Sequence, residues 1–185
     1  VLDGLFLHRD ELRDAWDLSV WLEVPFEVTC ARMAVRDGTD PDPAHPGVAR
    51  MSTRIPHPYA LQDAEDFLTR CEAGDEKVFA IEHGDDGLVG VIGFHDAGRL
   101  GPEVGYWLGR PYWGRGLATE AARAALVWAS KNWGRRCVVS SHFADNPASG
   151  AVLIKSGFLY TGEVDKAFSV ARGEVVDARK MVWLA

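Results

Sequence analysis

Two glycines and an arginine stand directly before an alanine-rich stretch, as Gly114-Arg115-Gly116 in the segment YWGRGLATEAARAALVWA. Small residues let a main chain approach a ligand closely. The first amides of a helix have no partner within the helix, and the positive end of its dipole favours phosphate oxygens. The segment therefore predicts a cradle for a diphosphate. On these residues alone, a strand-to-helix turn without a ligand explains the pattern equally well.

Composition restricts the partners that such a site serves. The chain has 185 residues, of which 47% are hydrophobic, and a formal net charge of −7. This balance is typical of a globular domain, and it argues against nucleic acid as a partner, because proteins that bind phosphate backbones concentrate Lys and Arg. The sequence has no apolar run long enough to cross a bilayer, so no membrane partner is expected. Three cysteines and six histidines without metal-ligand spacing predict no metal site and fit a cytoplasmic location.

Strands and helices alternate on both sides of the glycine segment. Helices are predicted over 61–71, 119–131 and 147–156. The last of these is punctuated by Asn146 as N-cap, by Pro147 in the first turn and by Gly157 after the end. Strands are predicted over 78–81, 88–94, 103–108, 137–143, 167–171 and 175–184. This order predicts an α/β fold whose sheet has mixed strand directions.

The stretch from Glu103 to Ala129 resembles the pyrophosphate loop and helix of the GNAT superfamily of acetyltransferases. The family pattern Gln/Arg-x-x-Gly-x-Gly/Ala aligns with Trp113 to Ala118, with Trp113 in the place of the usual Gln or Arg. The variant YWGRGLATEA is typical of the branch similar to the RimJ and RimL ribosomal-protein acetyltransferases. The segments NPASGAVLIKSGF, IPHPYALQDAEDFL and SVARGEVVDARKMVWL resemble further blocks of the family, so that the resemblance covers roughly residues 48–185.

The resemblance implies a mostly antiparallel central sheet flanked by helices, in which the parallel strands 103–108 and 137–143 splay apart. It implies acetyl-CoA as co-substrate, with its pantetheine arm in the gap and paired to the main chain near Trp107 and Leu108. Asn146 and Ser149 would approach the coenzyme from the opposite side, and Asn146 would also serve as a helix cap. The diphosphate would lie on the segment formed by Trp113, Gly114, Arg115, Gly116, Leu117, Ala118 and Thr119.

The implied reaction is direct attack of an amine on the thioester. The acceptor is a peptide N-terminus or a small-molecule amine. At pH 7 a lysine amine, with a pKa near 10.4, costs about 4.6 kcal/mol to deprotonate, whereas an α-amine has a pKa near 8 and is the easier acceptor. Glu103 is the first candidate for the base, through a water molecule, with an exposed strand carboxylate as the alternative interpretation. Ser149 is the candidate acid for the thiolate, with a local bond to the backbone as the alternative.

Two positions leave a second function open. Leu153 stands where many family members have a tyrosine, and Thr161 stands where the RimL-like branch often has a glutamate. A catalytically silent module that binds acyl-CoA is therefore the alternative function. His142 and Tyr160 are further candidates for proton transfer. Trp107, Tyr112 and Trp113 are candidates for the acceptor pocket, and the oligomeric state is either monomer or homodimer.

Residues 1–47 do not resemble the start of that fold. The segment DGLFLHRDEL resembles a late portion of uridine-kinase-like P-loop enzymes, but the chain has no G-x-x-x-x-G-K-S/T motif, which argues against kinase activity. This part is interpreted either as a kinase-like remnant or as a substitute for the opening strand and helix, over 5–7 and 10–16. Residues 19–24 alternate like a strand, and the acetyltransferase domain is placed over 48–185.

Overall fold

The computed structural model of the chain describes residues 19–21, 46–74 and 76–185. Within these residues, strands and α-helices alternate as the sequence predicts. In chain order they are β1 (Ser19–Trp21), α1 (Pro46–Ala49), α2 (Leu61–Glu72), β2 (Lys77–Glu82), β3 (Leu88–Asp96), β4 (Pro102–Leu108), α3 (Leu117–Lys131), β5 (Cys137–Phe143), α4 (Pro147–Lys155), β6 (Leu159–Ser169) and β7 (Glu174–Leu184).

The strands of this part of the chain form one sheet in the order β1-β2-β3-β4-β5-β7-β6. Every neighbouring pair is antiparallel except β4 and β5, which are parallel. A parallel pair needs a crossover connection, and α3 supplies it between these two strands. The predicted class is confirmed: an α/β fold with a mostly antiparallel central sheet, one splayed parallel pair and flanking helices.

The main core lies between the sheet and the helices α3 and α4. The buried face of α3 consists largely of alanines, among them Ala121, Ala122 and Ala129, which are fully buried. Their small side chains let α3 lie close to the strands, so that Phe94 and Leu153 fill the remaining space at 1% and 0% exposure. Each large apolar side chain buried in this way contributes about 1.5–3 kcal/mol.

The hairpin of β6 and β7 is longer than the sequence predicted. The prediction of a strand over 167–171 is wrong at its start, since β6 begins at Leu159. Most of β6 is exposed at the edge of the sheet, so burial does not impose the alternation that a sequence pattern detects. Gly162, with a φ of +89°, lies within a register shift between Tyr160 and Val164 and interrupts the pattern further.

The turn between β6 and β7 holds the segment that follows α1. The Arg172 side chain, 5% exposed, donates from Nε to the Arg50 carbonyl at 2.6 Å and from Nη1 to Asp145 Oδ2 at 2.7 Å. Ser169 Oγ donates to the Ser52 carbonyl at 3.2 Å. The far edge of the sheet therefore fixes residues 50–52 in place.

The strand β1 extends the opposite edge of the sheet, where Ser19 pairs with Glu82 and Trp21 with Ala80. The strand predicted over 19–24 is thus observed at Ser19–Trp21. The strand over 5–7, the helix over 10–16 and most of the kinase-like stretch 1–47 lie outside the described residues. The division of the chain at 47 and 48 stays a prediction.

Candidate active site

The site begins where β4 and β5 part. The two strands pair at Glu103 and Val139, at the start of both. One residue further on, Ser140 Oγ donates to the Val104 carbonyl at 2.9 Å, so a side chain takes the place of a main-chain bond. Beyond this point the strands diverge toward their carboxyl ends. The resulting gap is the splay that the sequence predicted.

The main chain of β4 presents hydrogen-bonding groups to the gap. Gly109 N donates to the Val89 carbonyl at 2.8 Å, which fixes the alternation of the antiparallel β3–β4 pair. By this alternation Trp107 directs its main chain to β3, whereas Tyr106 and Leu108 direct theirs into the gap. The gap-facing pair is therefore Tyr106 and Leu108, rather than the predicted Trp107 and Leu108.

The head of α3 closes the wide end of the gap. Gly114 and Gly116 have φ angles of +75° and +87°, and a Cβ added to either would meet no atom within 4 Å. Thr119 N donates to the Gly116 carbonyl at 3.0 Å and so already belongs to the first helical turn. The amides of Gly116, Leu117 and Ala118 precede that turn and have no place in the helical ladder. Open glycines next to these amides fit a diphosphate.

Two side chains of the same loop, Trp113 and Arg115, bind other parts of the protein. Trp113 Nε1 donates to the Leu108 carbonyl at 2.7 Å, which ties the loop to the end of β4. Arg115 Nη2 donates to His83 Nε2 at 3.2 Å, and its guanidinium carbon lies 5.7 Å from the centre of the Tyr112 ring. The guanidinium predicted to bind the coenzyme is thus engaged with the end of β2, and the loop offers its main chain to the gap.

The head of α4 forms the other wall. Asn146 Oδ1 accepts from Ser149 N at 3.2 Å, which is the predicted N-cap. The Tyr106 hydroxyl reaches across the gap and lies 3.1 Å from the Ser149 carbonyl and 2.9 Å from Ser149 Oγ. Since a carbonyl can only accept, the phenol donates to it, and the serine hydroxyl is the donor to the phenol oxygen. Tyr106 therefore joins both walls and orients Ser149.

Burial raises the pKa of Tyr106 to about 12, against the opposing effect of its bond with Ser149. A thiol has an ordinary pKa of about 8.5, so full proton transfer from this phenol to a thiolate is uphill by about 5 kcal/mol. Tyr106 is therefore suited to donate a hydrogen bond rather than a proton.

Glu103 lies at the closed end of the gap, on the sheet face opposite the core residue Val104. Ser141 Oγ donates to Glu103 Oε1 at 2.9 Å. His95 Nε2 lies 3.6 Å from Glu103 Oε2, which is the distance of an ion pair rather than of a hydrogen bond. The His95 imidazole, with help from Ser141, holds the pKa of the Glu103 carboxyl below its usual range although burial acts to raise it.

One cavity of about 1360 Å³ includes both the gap and the sheet face around Glu103. Its floor is open at Gly105, which pairs with Gly93 of β3 and where an added Cβ would meet no atom within 4 Å. Its opposite side is formed by α2 and the segment before it. Aromatic side chains line it, among them Tyr59 and Phe67 and the three predicted for the acceptor pocket, Trp107, Tyr112 and Trp113.

The two remaining candidates for proton transfer bind each other. His142 Nδ1 lies 2.8 Å from the Phe143 carbonyl, so this nitrogen carries the proton and Nε2 accepts from the Tyr160 hydroxyl at 2.9 Å. Gly150 packs against this pair, and a Cβ there would lie 2.7 Å from His142 Nε2. The histidine and the tyrosine thus form a closed pair beneath α4.

Sequence reasoning missed Tyr106 and His95. The strand alternation that places Tyr106 on the core side is visible in the sequence, but its contact with Ser149 depends on the splay. His95 is one of six histidines in the chain. The signal that distinguishes it is its register opposite Glu103, which requires the pairing of β3 with β4.

Neither a metal centre nor a membrane span is found in the described part of the chain. Its His, Cys, Asp and Glu side chains include no group of three or more that could hold a metal ion. None of its helices combines the length and the apolar character that a bilayer crossing requires.

Comparison with known proteins identifies the class that this fold and site define. Residues 41–159 match the model of the acetyltransferase (GNAT) domain. The match covers more than half of the chain, which therefore belongs to the GNAT family of acetyltransferases. The predicted superfamily and the acyltransferase class are confirmed at the level of the family.

A curated relative supports the predicted RimJ/RimL-like branch. The chain is 32% identical over 98 residues to the ribosomal-protein-serine acetyltransferase of Escherichia coli (strain K12). The alignment covers 52% of this chain and 54% of that protein, so the chain spans about half the length of the relative.

Solved structures share the fold. A GNAT-family acetyltransferase from Bacillus anthracis superposes with a TM-score of 0.73 at 21% identity, over 91% of this chain and 95% of that one. A spermidine N-acetyltransferase from Vibrio cholerae, solved in complex with CoA and spermine, superposes with a TM-score of 0.70 at 14% identity, over 91% and 95% of the two chains. At these identities the likeness concerns the fold.

Proposed function

We propose that this chain transfers the acetyl group of acetyl-CoA to a primary amine, either the N-terminal α-amine of a protein or the amine of a small molecule. The observation that carries the proposal is the gap between β4 and β5, which opens at the glycine-flanked head of α3. A gap between parallel strands accepts an extended chain, and the amides beside it accept a diphosphate. Acetyl-CoA has both parts.

The coenzyme is held mainly by main-chain groups in this proposal. The amides of Gly116, Leu117 and Ala118 bind the diphosphate, and Gly114 leaves it room. The pantetheine arm pairs with the main chain of β4 from Leu108 inward, and Asn146 and Ser149 contact it from α4. Trp113 keeps the loop at the end of β4 through its bond to Leu108.

The acetyl group then points toward the narrow end of the gap, where Glu103 and Ser149 lie on opposite faces of the sheet. Glu103 is ionised at neutral pH, because its pKa is lowered, and it stabilises the positive charge of an amine that approaches over Gly105. Ser149, held beside Tyr106, turns its one hydroxyl proton from the phenol oxygen to the departing sulfur and donates a hydrogen bond there. Both roles rest on the position of these groups at the cavity wall.

We place the α-amine first among the acceptors. Its pKa near 8 leaves roughly one molecule in ten neutral at pH 7, so the site needs to supply little free energy for deprotonation. The similar Escherichia coli enzyme is named for a ribosomal protein, which fits a peptide acceptor. The Vibrio cholerae enzyme of like fold is named for spermidine, and a polyamine is the small-molecule acceptor to compare.

A paired experiment tests the proposal. Calorimetry measures the binding of CoA, and a thiol-release assay measures turnover with acetyl-CoA and a panel of peptides that begin with Ser or Ala, the same peptides with blocked N-termini, and spermidine. We expect micromolar binding of CoA and thiol release with free N-termini alone. Binding without turnover on any amine would favour the silent acyl-CoA-binding module, and no binding of CoA would exclude both functions.

A further inference from the structure

A row of polar side chains crosses the sheet on the face that carries Glu103, opposite the core; we call it the acceptor face. His95 on β3 is in register with Glu103 on β4, Ser141 on β5 donates to Glu103, and Lys180 on β7 is in register with Ser141. Lys180 Nζ in turn lies 2.7 Å from Asp165 Oδ2 on β6. The row runs at right angles to the strands and ends at His95, whose side chain is 31% exposed at the cavity wall.

Proton affinities distinguish Glu103 and His95, the two members of this row that could act as bases. An ordinary glutamate has a pKa of about 4.3, so taking a proton from an α-ammonium with a pKa near 8 is uphill by about 5 kcal/mol. The neighbours of Glu103 lower its pKa and make it a weaker base still. Imidazoles as a class titrate near 6.5, which reduces the uphill step to about 2 kcal/mol.

We propose that His95 is the group that takes the proton from the acceptor amine, and that Glu103 is a positioning residue that orients and stabilises its imidazolium. The inference rests on the proposed function and assigns the base within it. Nε2 of His95 faces Glu103 Oε2, so that a proton on Nε2 is directed to the carboxylate and Nδ1 is left as the acceptor. At 3.6 Å the carboxylate is at ion-pair distance and stabilises the ring when it becomes a cation.

The step balances without a further reactant. An ammonium loses one proton to His95 Nδ1, and the neutral nitrogen attacks the acetyl carbonyl carbon. The new C–N bond forms as the C–S bond breaks, and its electron pair goes to sulfur. The second nitrogen proton and the imidazolium proton account for the thiol and for one proton released to water. Products are the acetylated amine and CoA thiol.

The elements beside His95 each carry charged groups. Glu103 comes from β4, and Lys180 acts on Glu103 from β7. Glu76 precedes β2 opposite His95, since Lys77 pairs with Phe94, and it forms ion pairs with Arg54 and Arg70. Asp66 on α2 lines the same cavity. Glu76 is paired with the two arginines and Asp66 Oδ1 accepts from Gln62 Nε2 at 3.0 Å, whereas Glu103 lies at ion-pair distance from the ring.

The test is the dependence of kcat/KM on pH for the wild type, His95→Gln and Glu103→Gln, with His57→Gln as the matched control. His57 is exposed and lies outside the cavity wall. For the wild type we expect an acid limb in the range of an imidazole. His95→Gln removes this limb and lowers kcat about 100-fold at pH 7, with recovery toward high pH as the amine deprotonates by itself.

Glu103→Gln keeps the limb and lowers kcat, because the ring loses the carboxylate that orients it. Unchanged CoA affinity by calorimetry confirms that each variant is folded. Turnover whose acid limb survives His95→Gln and disappears in Glu103→Gln would overturn this inference alone. Absence of turnover by the wild type would overturn the proposed function, and this inference with it.

Discussion

The two halves of the cavity are built from different material. On the coenzyme side, the groups at the gap are mostly main-chain: the amides at the head of α3 and the polar groups of Tyr106 and Leu108. On the acceptor side, the groups are side chains, and they come from a different strand each, as His95, Glu103 and Ser141 do.

This difference separates the binding of the coenzyme, which tolerates substitutions, from the binding of the acceptor, which changes with them. A main-chain site depends on φ angles and on small residues, and it tolerates exchange of most side chains around it. A side-chain site changes with each substitution on its strands. A fold with both can keep one coenzyme while its acceptor changes.

The largest expected effect breaks the main-chain side. Gly116→Ala puts a methyl group into the cradle, and we expect CoA affinity to fall about 100-fold, or about 2.7 kcal/mol, by calorimetry. Gly134→Ala is the matched control, since Gly134 also has a positive φ, of +65°, and open space around it. Both variants lose about 1–2 kcal/mol of folding stability to left-handed strain. Equal CoA affinities in the two variants would refute the cradle.

A smaller effect is expected where the two sides meet. Tyr106→Phe removes the hydroxyl that bonds Ser149, and we expect kcat to fall about 10-fold at nearly constant CoA affinity, since a buried hydrogen bond contributes about 1–1.5 kcal/mol. Ser149→Ala should add little to this loss, because the two hydroxyls act as one unit. Steady-state kinetics of the single and double variants decide the matter, and strictly additive losses would argue against the unit.

The interactions of Glu103 on the acceptor side should also contribute to the free energy of unfolding. Its neighbours lower the pKa of Glu103 in the folded chain, so it contributes stability above its unfolded pKa and loses it as the pH falls through the folded value. We expect Glu103→Gln to lower the free energy of unfolding by roughly 0.2–1 kcal/mol at pH 7 and by less at pH 3.5. Urea denaturation at both pH values measures this. A difference of the same size at both would mean that the carboxylate is not stabilised by its neighbours.

The smallest expected effect concerns the loop's own side chain. Arg115→Ala should weaken CoA binding by less than about threefold, or about 0.6 kcal/mol, because its guanidinium is engaged with His83 rather than with the cavity. Calorimetry compares the CoA affinity of this variant with that of Gly116→Ala. A tenfold loss would show that the guanidinium moves onto the phosphates when CoA binds, and the contrast between the two halves would lose its sharpest element.

What the sequence predicted follows the same division. The main-chain site could be predicted from Gly114, Gly116 and the capped helix after Asn146, because glycine and cap positions are local signals in a sequence. The meeting of His95 with Glu103, and of Tyr106 with Ser149, depends on register and splay between strands that are distant in sequence. The sequence did not predict that β6 begins at Leu159 for a related reason, since an exposed edge strand carries little hydrophobic pattern.

The turn between β6 and β7, which contains Arg172, holds part of the cavity wall from a distance; we call the part of the cavity around Glu103 the acceptor chamber. Residues 51–54 form part of the chamber wall, and Arg172 and Ser169 hold the carbonyls of Arg50 and Ser52 from the opposite edge of the sheet. We expect that shortening this hairpin tip displaces residues 51–54 of the cavity wall, while the glycines at the head of α3, which lie on another part of the fold, keep their position. If the proposed acceptor site is correct, variation in this surface turn changes the choice of acceptor without a substitution at Glu103 or Ser149.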